Sequence, residues 1–479
     1  MIDRHNNNKH LRKSTVTVWV ISLLALTLPF QIYLPLGGFP LSTSYVLIAI
    51  CLMFWVLDML LSRNLVIYVP RIIWLILFLL LTIVYYSLGA VDVKASLISG
   101  IQVAAYFLLL FIVANTLNTE NQIYHIINIS LMGSVASSML GVIQVLVGTF
   151  RPETVVNLFF FSPLANLSVG SRGLERIGEL GPLTILRSSS LENVGNIFRA
   201  FGWFEGPTVY SWFSTTLAIF ALGIWWATPN AKSKLHYRAK WAALWGMIAV
   251  FLSWTRSAWV ALILGFIFIV VFCKARNTKF SSKRWWRFGF IIVGSFVFII
   301  CIGLMLPGTS IGQMILSSIG GASAASSNAG RLETVNFALG RVLSHPLGGV
   351  GFRNYAYVAS NGSVLSSETA TEITAHNTYL ELAVELGLPG AISFIWLLLF
   401  VFVNARKLIA QPVGSYWHTL GVAFSAVWFT YAVLCMFGGN IVEPKWMTYI
   451  WLLGGLQMAS IHIIKQSFQT QNLSNSQHL

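Results

Sequence analysis

Twelve apolar stretches, each about long enough to cross the roughly 30 Å of hydrocarbon in a bilayer, leave this chain few ways to fold. They lie near 16-36, 43-61, 72-89, 97-115, 124-147, 208-227, 239-253, 256-273, 288-306, 388-404, 417-437 and 446-465. Backbone amides in that layer have no water to bond, so a span must satisfy its own hydrogen bonds, and uninterrupted apolar runs of this length do so as helices. Hydrophobic residues make up 56% of the 479 and charged residues only 9%, proportions that a soluble globule of this size cannot pack. The expectation is an all-α polytopic integral membrane protein of about 12 transmembrane helices with a long helical extracytoplasmic loop. The stretches at 239-253 and 256-273 are short and nearly contiguous, which predicts a tight helical hairpin.

A formal charge of +15 resembles a nucleic-acid signal until it is sorted by side of the membrane. With the N-terminus inside, the cytoplasmic segments hold 19 of the 30 Lys+Arg. They include Arg4, Lys9, Arg12 and Lys13, then Lys232, Lys234, Arg238 and Lys240, and six more between Lys274 and Arg287. Asp3, Asp58 and Glu120 are the acidic residues on that side, so it carries about +16 against −1 outside. This is the positive-inside pattern, and it places both termini in the cytoplasm and makes nucleic acid no partner. Residues 16-36 lack a small-residue cleavage site, which argues against a cleaved signal peptide. Cys51, Cys273, Cys301 and Cys435 fall in or at the ends of spans with no CxxC spacing, and they predict neither disulfide nor metal.

Two outer segments, 148-207 and 307-387, are too long to be connectors and are where function is expected. The first holds Arg151, Arg172, Arg176, Arg187 and Arg199; the second holds Arg331, Arg341 and Arg353; Arg256 sits in the outer hairpin between two spans. Nine arginines against the two outer lysines, Lys94 and Lys445, suggest planar, multidentate recognition of phosphate or carboxylate. The competing reading is that several anchor interfacial helices or pair with Glu153, Glu175, Glu179 or Glu192, and for Arg172, Arg176 and Arg187 that reading is preferred. The spans themselves carry no acidic residue beyond Asp58 at a span end, which disfavours a proton- or ion-coupled carrier.

Three stretches carry the chemistry. Phe198-Arg-Ala-Phe-Gly-Trp-Phe-Glu-Gly-Pro207 leads into the sixth span as an ordered turn, with Arg199 expected to face the headgroup layer. Leu252-Ser-Trp-Thr-Arg-Ser-Ala-Trp259 puts Thr255, Arg256 and Ser257 at a helix start, whose free N–H groups favour anions. The third comprises Gly330-Arg-Leu-Glu, then His345-Pro-Leu-Gly-Gly-Val-Gly-Phe352, then His376-Asn-Thr-Tyr-Leu-Glu-Leu-Ala-Val-Glu-Leu-Gly-Leu-Pro-Gly390. In the last, His376 and Asn377 precede a helix that Gly387, Pro389 and Gly390 end.

In this order and at these span positions, the set resembles the O-antigen ligase and O-antigen polymerase family of bacterial envelope proteins, with its GT-C fold. The resemblance covers about 195-405 by motif. Glu205-Gly-Pro-Thr208 stands where many members resemble Asn-Pro-Asn, which bears on acceptor contacts more than on Arg199. The resemblance implies a glycan donor on undecaprenyl pyrophosphate, a glycan or lipid-core acceptor, membrane lipid and polysaccharide assembly proteins as partners, and no cofactor.

That reaction makes two demands: the pyrophosphate must be held as its charge grows, and the attacking hydroxyl must lose a proton. Arg199 and Arg256 suit the first task and His376 the second, because nearby arginines disfavour the imidazolium and keep the ring basic at pH 7. The glycan-binding candidates are Arg331, Arg341, Asn377, Glu205 and Tyr379. Arg331 and Arg341 could instead pair with Glu333 and its neighbours, and Trp203 and Tyr210 are weaker candidates for stacking on sugar. His345 reads as part of a glycine-packed turn. No Asp-x-Asp pair or His/Cys cluster stands ready for a catalytic metal. Ligase, polymerase and protein oligosaccharyltransferase share these motifs; a non-catalytic glycolipid carrier or flippase is the rival of a different class.

Overall fold

A computed structural model describes residues 15–36, 39–62, 67–151, 154–155, 157–161, 198–228, 233–275, 322–360, 374–438 and 441–476. Helices occupy eleven of the twelve apolar stretches: α1 (Thr15–Thr27), α2 (Thr43–Ser62), α3 (Ile72–Ser87), α4 (Val93–Thr116), α5 (Glu120–Phe150), α6 (Pro207–Ala227), α7 (Lys234–Leu252), α8 (Arg256–Ala275), α12 (Gly387–Asn404), α14 (Tyr416–Cys435) and α15 (Pro444–Ser476). Between α8 and α12 come α9 (Ala322–Ser344), α10 (Tyr355–Ala359) and α11 (Thr378–Glu385), and α13 (Arg406–Ile409) follows α12. Seven of these helices are long and apolar enough to cross a bilayer, and three more apolar helices are shorter. The stretch at 288-306 lies outside the described residues, as do Arg172, Arg176, Arg187 and the basic segment 276-287.

Polytopic and helical is therefore what the chain is, with one departure. The first span ends early, at a 3-10 turn over Leu28–Phe30, and a two-stranded antiparallel hairpin follows, β1 (Tyr33–Leu36) with β2 (Phe39–Ser42). Tyr33 pairs with Ser42 and Leu36 with Phe39. Pro29, Pro35 and Pro40 remove the amides that a continuous helix would need, so helix 16-36 could not run to its expected end.

Local sequence sets the helix starts. Asp92, Ser233, Asn377 and Ser415 each accept an amide hydrogen bond as N-caps, and Thr119 with Gln122 forms a complete capping box at α5. Pro207 opens α6 where its missing N–H costs nothing. α6, α14 and α15 are buried nearly all round and form the centre, whereas most of α2 faces outward. α6 and α14 approach closely at Gly223, where a β-carbon would lie 2.6 Å from the Ala423 Cα. The expected hairpin is present: only Ser253, Trp254 and Thr255 separate α7 from α8.

The inter-helix connections sort onto two ends as the charge rule divides them. At one end Tyr33 donates to Glu205, the Asp92 amide to Asn354, Tyr86 to the Leu347 carbonyl, and Lys445 to the Trp203 carbonyl. At the other, Asn115 bonds Tyr68, Arg238 bonds Asn128, Thr419 bonds the Ala227 carbonyl, and Tyr68 stacks on His462. Among the described residues, these connections at the first end belong to segments that the charge rule assigns outside, and those at the second to segments it assigns inside.

Candidate active site

The site is built on that first end, starting from the turn that carries Arg199. Gln144 of α5 clamps this turn: its Oε1 accepts the Gly202 amide at 2.7 Å and its Nε2 donates to the Gly202 carbonyl at 2.6 Å. The Ala200 amide donates to the Leu252 carbonyl at 2.9 Å, which fastens the turn to the end of α7. Phe198, Phe201 and Phe204 are buried beneath it. Arg199 is thereby aimed inward rather than toward headgroups, contrary to the sequence expectation. Its Nε donates to the Ser253 carbonyl at 2.9 Å and its Nη2 lies 3.3 Å from Thr255 Oγ1. Burial lowers its guanidinium pKa to about 10, so it remains a cation at neutral pH.

Arg256 follows Thr255 and is the first residue of the 20-residue helix α8. The two arginines thus meet across one three-residue turn, in which Trp254 adopts a left-handed φ of 52°. A bulky residue takes that conformation only when its surroundings impose it. Arg331 approaches from α9, and its guanidinium pKa is lowered by partial burial and then by the charge of Arg256. His376 completes the group: crowding that strips water from the ring, and then the charge of Arg331, lower its pKa below the ordinary histidine value. The residue is nonetheless exposed.

The residues around His376 explain how it is held. Its backbone is left-handed, φ 49°, and Gly438 packs against it, where a β-carbon would stand 3.2 Å from the His376 Cα. On one side Glu381 Oε2 accepts the Ala375 amide at 3.3 Å. On the other, Asn377 Oδ1 accepts the Tyr379 and Leu380 amides at 3.0 and 3.1 Å. Tyr379 donates to the Ala432 carbonyl at 2.8 Å and so pins α11 to α14. Asn377 and Tyr379, expected to bind substrate, thus also hold the chain beside the histidine.

The glycine-rich turn after His345 docks on the far end of α11. Val350 and Gly351 amides donate to the Val384 and Glu385 carbonyls at 3.1 and 3.0 Å, and Glu385 Oε1 accepts the Tyr355 amide at 3.2 Å. Burial first, and then mutual repulsion with Glu381, raises the Glu385 carboxyl pKa; burial raises that of Glu381 against the pull of Arg353. His345 itself is exposed, bonded to Ser344, as the turn reading required.

The remaining expected residues lie apart from the four. Arg341 is ten residues beyond Arg331 on α9, roughly 15 Å along the axis at 1.5 Å per residue. Glu205 accepts a 2.6 Å bond from Tyr33 and belongs to a second cluster with Glu443 and Lys445. Tyr210 is fully buried with its hydroxyl on the Ser137 carbonyl, so it cannot stack on a sugar. Sequence reading missed Gln144, a polar side chain inside an apolar 31-residue helix, and also Glu443. Their signal was available: such groups are retained in a span or at its end when something there needs them.

Residues 241–395 match a family model described as O-Antigen ligase. The matched stretch runs from within α7 into α12 and contains Arg256, Arg331 and His376, while Arg199 precedes it. No curated protein matches the chain. With its apolar helices, the match supports a multi-pass membrane protein whose 241–395 stretch is similar to O-antigen ligases. Among the described residues no group of three or more His, Cys, Asp or Glu has an arrangement that could hold a metal ion.

Proposed function

We propose that this protein moves a glycan from an undecaprenyl-pyrophosphate donor to an acceptor hydroxyl on the outer face of the bacterial inner membrane, with inversion and without a metal. The observation that carries this reading is the convergence of three guanidinium groups and one imidazole, whose pKa burial and Arg331 lower, at one end of the bundle. Three cations are a matched set for two phosphates, and a histidine whose pKa is lowered is free to take a proton at pH 7. The acceptor oxygen attacks the anomeric carbon as the bond from that carbon to the phosphate oxygen breaks. The electron pair leaves with the pyrophosphate, and the hydroxyl proton passes to His376. Arg199 and Arg256 hold the departing charge, and Arg331 both adds to that field and keeps His376 basic. Arg341 and Glu205 are the candidates for contact with a longer glycan. Segments 148-207 and 307-387 are outer loops in this scheme, and both termini are cytoplasmic.

The test is transfer by the purified full-length chain in lipid, given a polyprenyl-pyrophosphate-linked glycan, acceptor and excess chelator. Release of polyprenyl pyrophosphate that depends on acceptor and on His376 is expected. A strict requirement for magnesium or manganese would overturn the arginine-only account. Binding of donor with no turnover would favour a carrier.

A further inference from the structure

At the opposite end of the bundle lies a cavity of about 680 Å³ whose lining includes Arg71, Lys407 and Lys465. These cations come from three places in the chain: Arg71 caps α3, Lys407 lies in α13 just after α12, and Lys465 is on α15. Lys407 is close enough to the other two to be repelled by both, and no carboxylate lines the cavity. Lys407 Nζ spends one proton on Asn404 Oδ1 at 2.5 Å, which leaves two for another acceptor.

The walls differ from the floor. Trp396, Leu399 and Val403 recur along one stripe of α12 and are 60%, 53% and 47% exposed. On a helix inside a bilayer, that stripe faces lipid tails. The cavity is thus charged at its membrane-surface end and apolar along the chain direction. α12 runs from Gly387, beside the candidate active site, to Asn404 at this cavity. At 1.5 Å per residue that separates the two by roughly 26 Å, close to the thickness of the hydrocarbon. The two sites face opposite membrane surfaces, and by the charge rule this one faces the cytoplasm.

We propose that this cavity is a binding site for an anionic membrane lipid, whose phosphate is held by Arg71, Lys407 and Lys465 and whose chains lie along Trp396, Leu399 and Val403. Charge complementarity selects the occupant: three uncompensated cations call for an anion, and the apolar stripe calls for one with hydrocarbon attached. The inference is independent of the transfer reaction, because it uses neither Arg199 nor His376.

The test is native mass spectrometry and equilibrium binding of the full chain in detergent, with phosphatidylglycerol, phosphatidylcholine and inorganic phosphate as probes. Retention of phosphatidylglycerol over phosphatidylcholine is expected. Each cation near an anionic surface contributes roughly fivefold, so Arg71→Gln, Lys407→Gln and Lys465→Gln together should weaken binding by about 100-fold. Val403→Trp keeps every charge and obstructs the groove, so it should also weaken lipid binding, and it decides the matter should the triple variant fail to fold. Lys234→Gln with Lys240→Gln, removing two cations from α7, should leave binding unchanged. Equal loss in that control would mean diffuse surface charge, and equal retention of phosphatidylcholine would mean no headgroup site. Displacement of the lipid by inorganic phosphate at matching concentration would make the site one for a free anion. Any of these three outcomes overturns the proposal, as does an unchanged affinity in the triple variant.

Discussion

Arg199 donates through Nε to the Ser253 carbonyl at 2.9 Å, and that one bond joins the turn before α6 to the turn between α7 and α8. The carbonyl is the last but two before Arg256, so the bond fixes the Arg199 guanidinium relative to the backbone from which Arg256 projects. Its partner is backbone, which no substitution at Ser253 removes. The planar fork of Arg199 is what the geometry requires, since Nε serves Ser253 while Nη2 reaches Thr255.

Arg199→Ala and Arg256→Ala should each slow single-turnover transfer by on the order of 10²–10³, the usual cost of removing a preorganised donor to developing charge. Arg199→Lys should recover little, because an ammonium cannot make both bonds. Thr255→Val removes only the longer of the two and should cost far less. Lys94→Ala, at an exposed position on α4, should remain near wild type. Transfer rate and donor affinity are measured in membranes matched for protein level. Wild-type donor affinity in both arginine variants would contradict the phosphate role.

The lowered pKa of His376 gives a pH signature. A base works when neutral, so kcat/KM should fall only as pH drops through the free-enzyme value, which burial and then Arg331 hold below that of an ordinary histidine. Arg331→Gln removes a charge that disfavours the imidazolium, so the acid limb should move up in pH. A shift in the other direction, or none, would separate Arg331 from His376. His376→Ala should abolish transfer and leave donor binding nearly intact.

Span positions, the hairpin at 253-255 and the sorting of connections onto two ends were legible because hydrophobic run length and charge asymmetry act locally and strongly. Arg256 and His376 were legible because each stands beside a helix start. The inward aim of Arg199 was not, since it depends on Gln144 and on the Leu252 carbonyl, respectively about 55 residues earlier and later in the chain. The holding roles of Asn377 and Tyr379 were not legible for a related reason: a cap and a hydroxyl-to-carbonyl anchor use polar atoms of the same kind that a sugar would. The early end of the first span was readable from its prolines, but an apolar stretch counted by length alone hides them.

Gly351→Ala should be among the most destabilising small changes. Its φ is 97°, and a β-carbon there would collide with Ala90. The penalty should exceed about 1 kcal/mol, since strain and overlap add. Thermal unfolding in detergent checks it. Gly438→Ala combines a φ of 95° with close approach to His376, so it should reduce transfer more than its stability loss explains.

Sidedness can be tested at described positions. A cysteine at Ser344, exposed at the end of α9, should react from outside with an impermeant thiol reagent in sealed cells. One at Val413, 57% exposed between α13 and α14, should not. Cys51 and Cys435 are buried and should contribute little background. Outside labelling at Val413 would invert the assignment, and with it the face to which His376 belongs.

Lys445 offers the sharpest stability test, because it is fully buried at the start of α15 beside the buried Glu443. It donates to the Trp203 carbonyl and lies 5.2 Å from the Tyr33 ring centre and 5.3 Å from that of Phe204. Lys445→Met removes the cation and leaves Glu443 a buried carboxylate without its neutralising charge, which should cost about 3–5 kcal/mol. Adding Glu443→Gln should recover part of the loss, since the more deeply buried of the two carboxylates facing Lys445 goes with it while Glu205 stays. Burial and then Glu205 already raise the Glu443 pKa, and losing Lys445 raises it further. A carboxyl whose folded pKa exceeds its unfolded value contributes stability that is full below the unfolded pKa and declines as pH rises through the folded one. The Lys445→Met protein should therefore be most stable in mild acid and lose stability toward neutral pH, a slope that Glu443→Gln abolishes. Unfolding midpoints of the single and double variants across pH read both effects. Equal stability of the single and double variants at every pH would mean that Lys445 acts through the Trp203 carbonyl alone, as a clamp on the turn that carries Arg199.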